Sequence, residues 1–390
     1  MVVAQVFILA GEPSGDQLAA SIMDAVDNGF GKQHWFGVGG PLMLERGLVS
    51  EAEMTQLSVL GFGAALSAYP RLSAFANTLV NRIIETRPRV VITVDAKGFS
   101  LRLATRLKKR MAAVGWSAPV IHVVAPTVWA WGAWRAKSVA RVVDGLLCLY
   151  PFEVDYFTPY GLDARFIGHP EAFNDELLPC SLEVVKGSTR RLLLLPGSRR
   201  SEIRRLLPVM RDAYRLIQAQ GNFKASLVTV PLLFDEVKAI LGCKSGIEIF
   251  STRDSFYQQL YQADAMMAAS GTVTLQTALA GVPGVACYRS SLLSALIGHW
   301  LVRMDRVILP NALLRREVYP FLFQRAATPE GLAAHIKRVF SYSADQRAQT
   351  DLRKVARANS DELRALLRGG SDDFETLVSE ALAPYFKPLA

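Results

Sequence analysis

Four short stretches of this chain combine chemically active residue types with a spacing that would present them. Residues 90–94 are uniformly apolar and deliver a carboxylate, Asp95, ahead of Ala96-Lys97-Gly98-Phe99. At the carboxyl end of a buried parallel strand such a group can take a proton from a hydroxyl as general base, or it can cap a following helix. Residues 192–195 run into Pro196-Gly197-Ser198-Arg199-Arg200. Gly197 would allow close approach, Ser198 can cap a helix, and Arg199 and Arg200 add fixed positive charge, which suits a phosphate; the alternative is an ordinary strand-to-helix turn with solvated arginines. Ser270-Gly271-Thr272 repeats the arrangement after residues 265–269, with small hydroxyl residues as helix caps. Two helix starts of this kind in one α/β domain would form a single anion seat fit for a nucleotide diphosphate. Gly11-Glu12-Pro13-Ser14-Gly15-Asp16 places two carboxylates in a first turn. They would repel a pyrophosphate and suit sugar hydroxyls, or else Ser14 and Asp16 cap the helix.

Three further features are less decisive. Trp129, Trp131 and Trp134 lie beside Arg135 and Lys137, a shelf over a ligand or simply core. His169 follows a glycine at a strand end, where it can touch a phosphate or sugar or serve structure. Residues 57–75 carry no acidic residue and one basic residue, Arg71. They read as a partly exposed apolar element through which Leu60, Phe62 and Leu66 would meet acyl chains, or as a buried loop and helix.

The elements that must hold these groups alternate. Apolar runs at 2–10, 35–40, 90–94, 120–124 and 145–149, with helical periodicity between several of them, describe one Rossmann-like set; runs at 192–195, 225–230, 247–250, 265–269 and 285–288 describe a second. With 390 residues, two domains are expected. Residues 1–170 form the first and 191–330 the second, joined by a polar linker at 171–190; 331–390 are charged helices that can pack back on the first domain. A hydrophobic content of 51% against 20% charged residues excludes disorder. The net charge of +9 favours acidic partners. The four cysteines show no Cys-x-x-Cys spacing, so no metal site is expected and a reducing compartment is natural. The apolar start lacks a basic leader, and no run reaches a spanning length, so membrane contact would be peripheral. The missing Gly-x-Gly-x-x-Gly fingerprint disfavours a nicotinamide dehydrogenase, and the lack of a basic stripe interleaved with aromatics disfavours a nucleic-acid protein.

Taken in order, Ala10-Gly11-Glu12-Pro13-Ser14-Gly15-Asp16, Val124-Ala125-Pro126-Thr127-Val128-Trp129-Ala130-Trp131, Phe166-Ile167-Gly168-His169-Pro170, Leu195-Pro196-Gly197-Ser198-Arg199-Arg200-Ser201-Glu202, Ala269-Ser270-Gly271-Thr272 and Leu309-Pro310-Asn311 with Arg316-Glu317 resemble the bacterial lipid-A-disaccharide synthase family. The resemblance implies an α/β fold of GT-B type, two Rossmann-like domains with parallel sheets facing across a cleft. It implies an inverting transfer of diacylglucosamine from UDP-2,3-diacylglucosamine to the 6-hydroxyl of 2,3-diacylglucosamine 1-phosphate, releasing UDP, with no metal or other cofactor. The first domain would hold the lipid acceptor, with Asp95 as base and Glu12, Ser14, Gly15, Asp16, Trp129 and His169 around it. The second would hold UDP through Gly197, Ser198, Arg199, Arg200, Ser270, Gly271, Thr272, Gln276, Asn311, Arg316 and Glu317. The protein would sit in the cytoplasm, peripherally on the inner face of the inner membrane, and can be an oligomer. Three positions depart from the family pattern: Lys97-Gly98 replaces an expected carboxylate-bearing sequence after Asp95, Gln276 stands for an expected glutamate, and Ala64 for another. The rival readings are a different GT-B enzyme using a UDP-sugar, such as an epimerase, and a non-catalytic nucleotide- or lipid-binding relative.

Overall fold

The computed structural model describes residues 5–57, 62–129, 132–177, 189–219, 221–242, 245–289, 307–341 and 346–386. The chain divides into two compact units, Met1–Pro170 with Leu367–Ala390, and Glu171–Leu366.

In the first unit the order is β1 (Gln5–Ala10), α1 (Pro13–Phe30), β2 (His34–Gly39), α2 (Pro41–Glu45), β3 (Val49–Glu53), α3 (Phe62–Thr86), β4 (Val90–Val94), α4 (Lys97–Ala113), β5 (Val120–Val123), α5 (Ala136–Ala140), β6 (Gly145–Cys148), α6 (Val154–Phe157) and β7 (Asp163–Phe166). In the second it is β8 (Arg190–Leu195), α7 (Arg200–Gln218), β9 (Phe223–Val228), α8 (Phe234–Leu241), β10 (Ile247–Phe250), α9 (Arg253–Gln262), β11 (Ala265–Ala269), α10 (Thr272–Leu279), β12 (Gly284–Tyr288), α11 (Leu309–Leu314), β13 (Phe321–Phe323), α12 (Pro329–Ser341) and α13 (Gln346–Arg368). The chain then returns to the first unit as α14 (Phe374–Phe386). Residues 331–366, read from sequence with the terminal helices, group with the second unit.

Among the described residues the strands make one sheet in each unit, ordered β3-β2-β1-β4-β5-β6-β7 and β10-β9-β8-β11-β12-β13. Every neighbouring pair is parallel. A parallel sheet covered on both faces buries both sides of its strands. Accordingly Val6 to Ala10, the whole of β4, and Leu192 to Leu194 have no more than 0% exposure. The helices supply the cover. α7 turns Ile203, Leu206, Leu207, Met210, Ala213 and Tyr214 into the second core. α1 is covered on both sides: it lies against the sheet, while Ser379 Oγ donates to Ala25 O at 2.8 Å and Phe386 stacks on Phe30 at 5.2 Å.

The glycine-containing apolar stretch is helical from Phe62 onward, with Pro70 inside the helix. Its second half compensates for that break in hydrogen bonding. Ala76, Leu79, Val80 and Ile83 are buried in the first core, and Arg106 of α4 donates to Ser73 O at 2.6 Å and Ser73 Oγ at 2.7 Å. β3 and β13 have no counterpart in the sequence reading. β3 is half-exposed and mixes Val49 with polar residues, and β13, though apolar throughout, is only three residues long.

Candidate active site

In the first sheet β1 and β4 are neighbours, with Ala10 opposite Val94, yet the chain leaves β1 toward β2 and β4 toward β5. The loops after these strands therefore diverge, and a crevice opens at their carboxyl ends, where ligands bind in open α/β sheets. Gly11 and Asp95 are the first residues beyond the two strands. The loops touch there: a Cβ on Gly11 would lie 3.0 Å from the Ala96 Cβ.

Asp95 and Ala96 both have left-handed backbones, with φ +48° and +43°. Ala96 is the N-cap of α4, which decides the sequence alternative: Asp95 is not that cap. Its backbone is fixed on both sides, the Asp95 N–H donating to Val123 O at 3.0 Å and Ser100 Oγ donating to Asp95 O at 2.8 Å. The residue is half-buried, so a carboxylate on a rigid support stands at the crevice, as a general base requires.

The turn after β1 divides its labour. Glu12 is exposed at the N-cap of α1 and makes no capping bond, and Ser14 is exposed beside it. Gly15 is buried, and a Cβ there would lie 3.5 Å from that of Ala10. Asp16 is buried, and it caps a helix other than its own. One carboxylate oxygen accepts from Gly40 N at 2.8 Å and Met43 N at 3.2 Å, and the other from Leu42 N at 3.1 Å, closing the start of α2.

Trp129 and His169 are both buried. Trp129 donates through Nε1 to Glu153 at 3.2 Å, and His169 stacks on Tyr150 at 5.4 Å. Burial pulls the His169 imidazole down to about 4, so it is neutral at pH 7. Trp134 is 72% exposed, and Trp131 lies outside the described residues.

The second sheet repeats the geometry. β8 and β11 are neighbours, with Leu195 opposite Ala268, while their connections run to β9 and β12 on opposite sides. The turns that follow open α7 and α10. Gly197 adopts φ +105°, and a Cβ there would collide with the Glu202 carboxylate packed over it. Arg199, rather than Ser198, is the N-cap of α7; Gly271 caps α10, and neither helix has a side-chain capping bond. The first-turn N–H groups of two helices thus point out of one switch point, a geometry that suits an anion.

The cations there are unequal. Arg199 is 77% exposed and meets Glu202 at 3.4 Å, whereas Arg200 pairs with Glu236 at 3.1 Å, which also takes Arg204 at 2.5 Å. Tyr288, at the end of β12, has its phenol pushed up by burial and by Glu202, with Arg199 and Arg205 opposing. Ser270 donates to Val307 O at 3.4 Å.

The remaining expected donor residues have partners within the unit. Asn311 donates to Tyr319 O at 2.8 Å and accepts from Val318 N and Tyr319 N at 3.0 and 2.9 Å. Arg316 binds Asn359 and Glu362, and Glu317 is exposed. Gln276 donates through Nε2 to Glu171 Oε1 at 2.9 Å. The sequence reading passed over two carboxylates, Glu153 and Glu171. Glu153 had a local signal, the Pro151-Phe152-Glu153 turn it closes by accepting from Tyr150 N at 3.2 Å; Glu171 had none. Leu60 falls outside the described residues, as do the side chains of Phe62, Ala64, Leu66 and Lys97. Among the described residues no cluster of His, Cys, Asp or Glu has the makings of a metal site, and no helix is long and apolar enough to cross a membrane.

Comparison with known proteins gives these features a context. Residues 6–368 match the family model described as lipid-A-disaccharide synthetase. The lipid-A-disaccharide synthase of Anaeromyxobacter dehalogenans (strain 2CP-C) is 35% identical over 372 residues, covering 93% of this chain and 95% of that protein. That of Alcanivorax borkumensis is 31% identical over 378 residues, 94% of each. Among solved structures, the glycotransferase of kitacinnamycin aligns with a TM-score of 0.60 at 14% identity over 99% of this chain and 100% of that one. The UDP-GlcNAc 2-epimerase of Neisseria meningitidis bound to UDP-GlcNAc aligns with a TM-score of 0.57 at 10% identity over 94% and 99%. These structural likenesses concern the fold, which is that of GT-B glycosyltransferases and UDP-GlcNAc 2-epimerases.

Proposed function

This chain belongs to the lipid-A-disaccharide synthase family and is an enzyme of lipid A biosynthesis, and from that premise we propose how its two switch points share the reaction. The first unit receives 2,3-diacylglucosamine 1-phosphate at the loops carrying Glu12 and Asp95. The second receives UDP-2,3-diacylglucosamine, its diphosphate on the first turns of α7 and α10 beside Arg199. The observation that carries this assignment is the chemical contrast between two equivalent crevices. One presents carboxylates, suited to sugar hydroxyls, and the other presents N–H groups and an exposed arginine, suited to a diphosphate.

The reaction then needs few parts. Asp95 accepts the proton of the acceptor 6-hydroxyl as that oxygen forms its bond to the donor C1. The bond from C1 to the β-phosphate oxygen breaks on the opposite side, its electron pair leaves with UDP, and the configuration at C1 inverts. The charge that develops on the diphosphate is met by Arg199 and the helix N–H groups, which need no rearrangement as it forms. We place the protein peripherally at the cytoplasmic face of the inner membrane, since both substrates are acylated. The net charge of +9 supports contact with anionic headgroups, and the apolar stretch holding Leu60, Phe62 and Leu66 supports contact with acyl chains.

Asp95→Asn tests the assignment, because it keeps the shape of the side chain and removes its basicity. Turnover, followed as disaccharide 1-phosphate by mass, should fall roughly 10²- to 10⁴-fold, with UDP affinity unchanged in calorimetry. Near-normal turnover at saturating substrate would place the base elsewhere, Glu12 being next. UDP release by the native protein without disaccharide would favour a different UDP-sugar reaction.

A further inference from the structure

Resting on the reading that the second unit holds the uridine diphosphate donor, we propose that Glu171 selects a ribonucleotide: its carboxylate accepts hydrogen bonds from the vicinal hydroxyls of the donor ribose, and Gln276 positions it. The family resemblance placed Gln276 among the residues that hold UDP, where a glutamate is expected. In the structure the Gln276 amide donates to Glu171 Oε1 at 2.9 Å, and Asn174 Nδ2 reaches Glu171 Oε2 at 3.4 Å. Asn174 is held in turn by the hydroxyl of the buried Tyr257 at 3.0 Å. Both of these donors are neutral amides, and they fix the direction of the carboxylate.

The support beneath is rigid. Glu171 sits in the short helical turn Pro170–Ala172, and Arg364 clasps that segment by donating to Ala172 O at 2.8 Å and Leu177 O at 2.6 Å. The same guanidinium reaches Leu279 O, at the end of α10, at 3.4 Å, and Ser360 Oγ donates to that carbonyl at 2.5 Å. One arginine thus fastens the Glu171 segment to the helix whose other end is the anion seat. A site built this way keeps its geometry before the ligand arrives.

Position along α10 identifies the ligand group. Thr272, Val273 and Gln276 share its less buried face, and four residues at 1.5 Å each put Gln276 about 6 Å from Thr272 along the axis. A nucleoside diphosphate seated on the first turn has its ribose at that remove, one linking methylene and one sugar ring from the phosphate. A vicinal diol offers two donors to one carboxylate, and bonds to an ionised acceptor are the stronger kind. An analogue without the hydroxyls forgoes both of those bonds, which is how a polar site discriminates against it.

The test is calorimetry on the full chain with UDP and with 2′,3′-dideoxyuridine diphosphate. The native protein should prefer UDP by roughly ten- to hundredfold, the worth of a hydrogen bond to a charged group. In Glu171→Gln that preference should shrink to within about twofold through loss of UDP affinity alone, the dideoxy ligand binding as before. The substituted amide keeps a carbonyl to accept from Gln276, so the fold is retained. Gln276→Leu, which removes the positioning partner and leaves the carboxylate, should lower the preference by a smaller factor. Glu171→Gln with the native preference overturns the proposal, as does a native protein that binds both ligands equally. A native protein that binds neither removes the donor reading itself and this inference with it.

Discussion

Replacing Asp16 separates the two roles open to a carboxylate in the first turn of α1, because the structure assigns it a measurable structural load. Its oxygens accept three backbone N–H groups, at 2.8, 3.1 and 3.2 Å, from the turn that begins α2. The donors of Gly40 and Met43 are buried, and a buried donor left without a partner costs about 1 to 3 kcal/mol. Asp16→Ala strands both and frees the Leu42 N–H as well, so a loss of about 3 to 5 kcal/mol is expected. That is a large share of the roughly 5 to 15 kcal/mol that holds a domain together. Asp16→Asn keeps one acceptor oxygen and should lose about half as much. Gly40→Ala gives a test that leaves the carboxylate in place, since a Cβ there would lie 2.6 Å from Asp16 Oδ2 and push it off its donors. Urea unfolding followed by tryptophan fluorescence is a suitable assay, because Trp35, Trp116, Trp129, Trp131 and Trp134 all belong to the first unit. An Asp16→Ala protein with the native midpoint and no turnover would refute the capping argument and make Asp16 a substrate ligand.

The donor site should respond to Arg199→Ala with UDP binding weaker by about 1.5 to 3 kcal/mol, the range for hydrogen bonds to a charged partner; unchanged affinity in calorimetry would take Arg199 out of the site. Changing Leu60, Phe62 and Leu66 together to Ser should reduce liposome association and spare UDP binding, with about 1.5 to 3 kcal/mol of burial at stake per side chain. Unfolding of that variant would mean the segment is core. For His169 the sign follows from its imidazole being pulled from 6.5 down to about 4 by burial. Between those values the unfolded chain binds the proton and the folded chain does not, so stability falls as pH drops through that window, by about 3 kcal/mol at most. His169→Gln should flatten that part of the stability profile measured by urea unfolding, and an unaltered profile would show that another group carries the dependence.

The central strands were legible because burial on both faces demands it: β4, β8 and β11 are continuous apolar runs, and the groups just beyond them, Asp95, Gly197 and Gly271, follow from where those runs stop. The caps were not. Sequence placed Ser198 and the hydroxyls around Gly271 at helix starts, and the structure gives those positions to Arg199 and Gly271 with no side-chain bond. A short polar side chain beside a helix start signals capping, but proximity in sequence does not say which helix it will reach. Asp16 closes a turn 24 residues away. Glu171 was illegible for the same reason at greater range, since its partner Gln276 stands 105 residues away and only the folded second unit brings them together.

The backbone around Asp95 shows why that carboxylate is not the cap of the helix that follows it. Asp95, Ala96 and Val124 all have positive φ, at +48°, +43° and +75°. Left-handed backbone costs an L-residue about 1 to 2 kcal/mol, and for a β-branched valine it is a marked outlier. Each of these residues is pinned by the neighbouring strand or the helix after it. Asp95 N donates to Val123 O, Val124 N to Leu147 O, and Phe99 N and Ser100 N both to Ala96 O. Lateral hydrogen bonds at the carboxyl end of the central strands therefore hold a conformation that the local sequence disfavours. A chain that ran directly from β4 into a helix would place its first polar residue at the N-cap, where a carboxylate is consumed by the helix N–H groups. Two consecutive left-handed residues prevent that here: Ala96, which has no side chain able to cap, takes the N-cap position, and Asp95 remains outside the helix. Strain persists only where the surrounding structure over-determines it, and here it keeps the Asp95 carboxylate out of the N-cap position of α4.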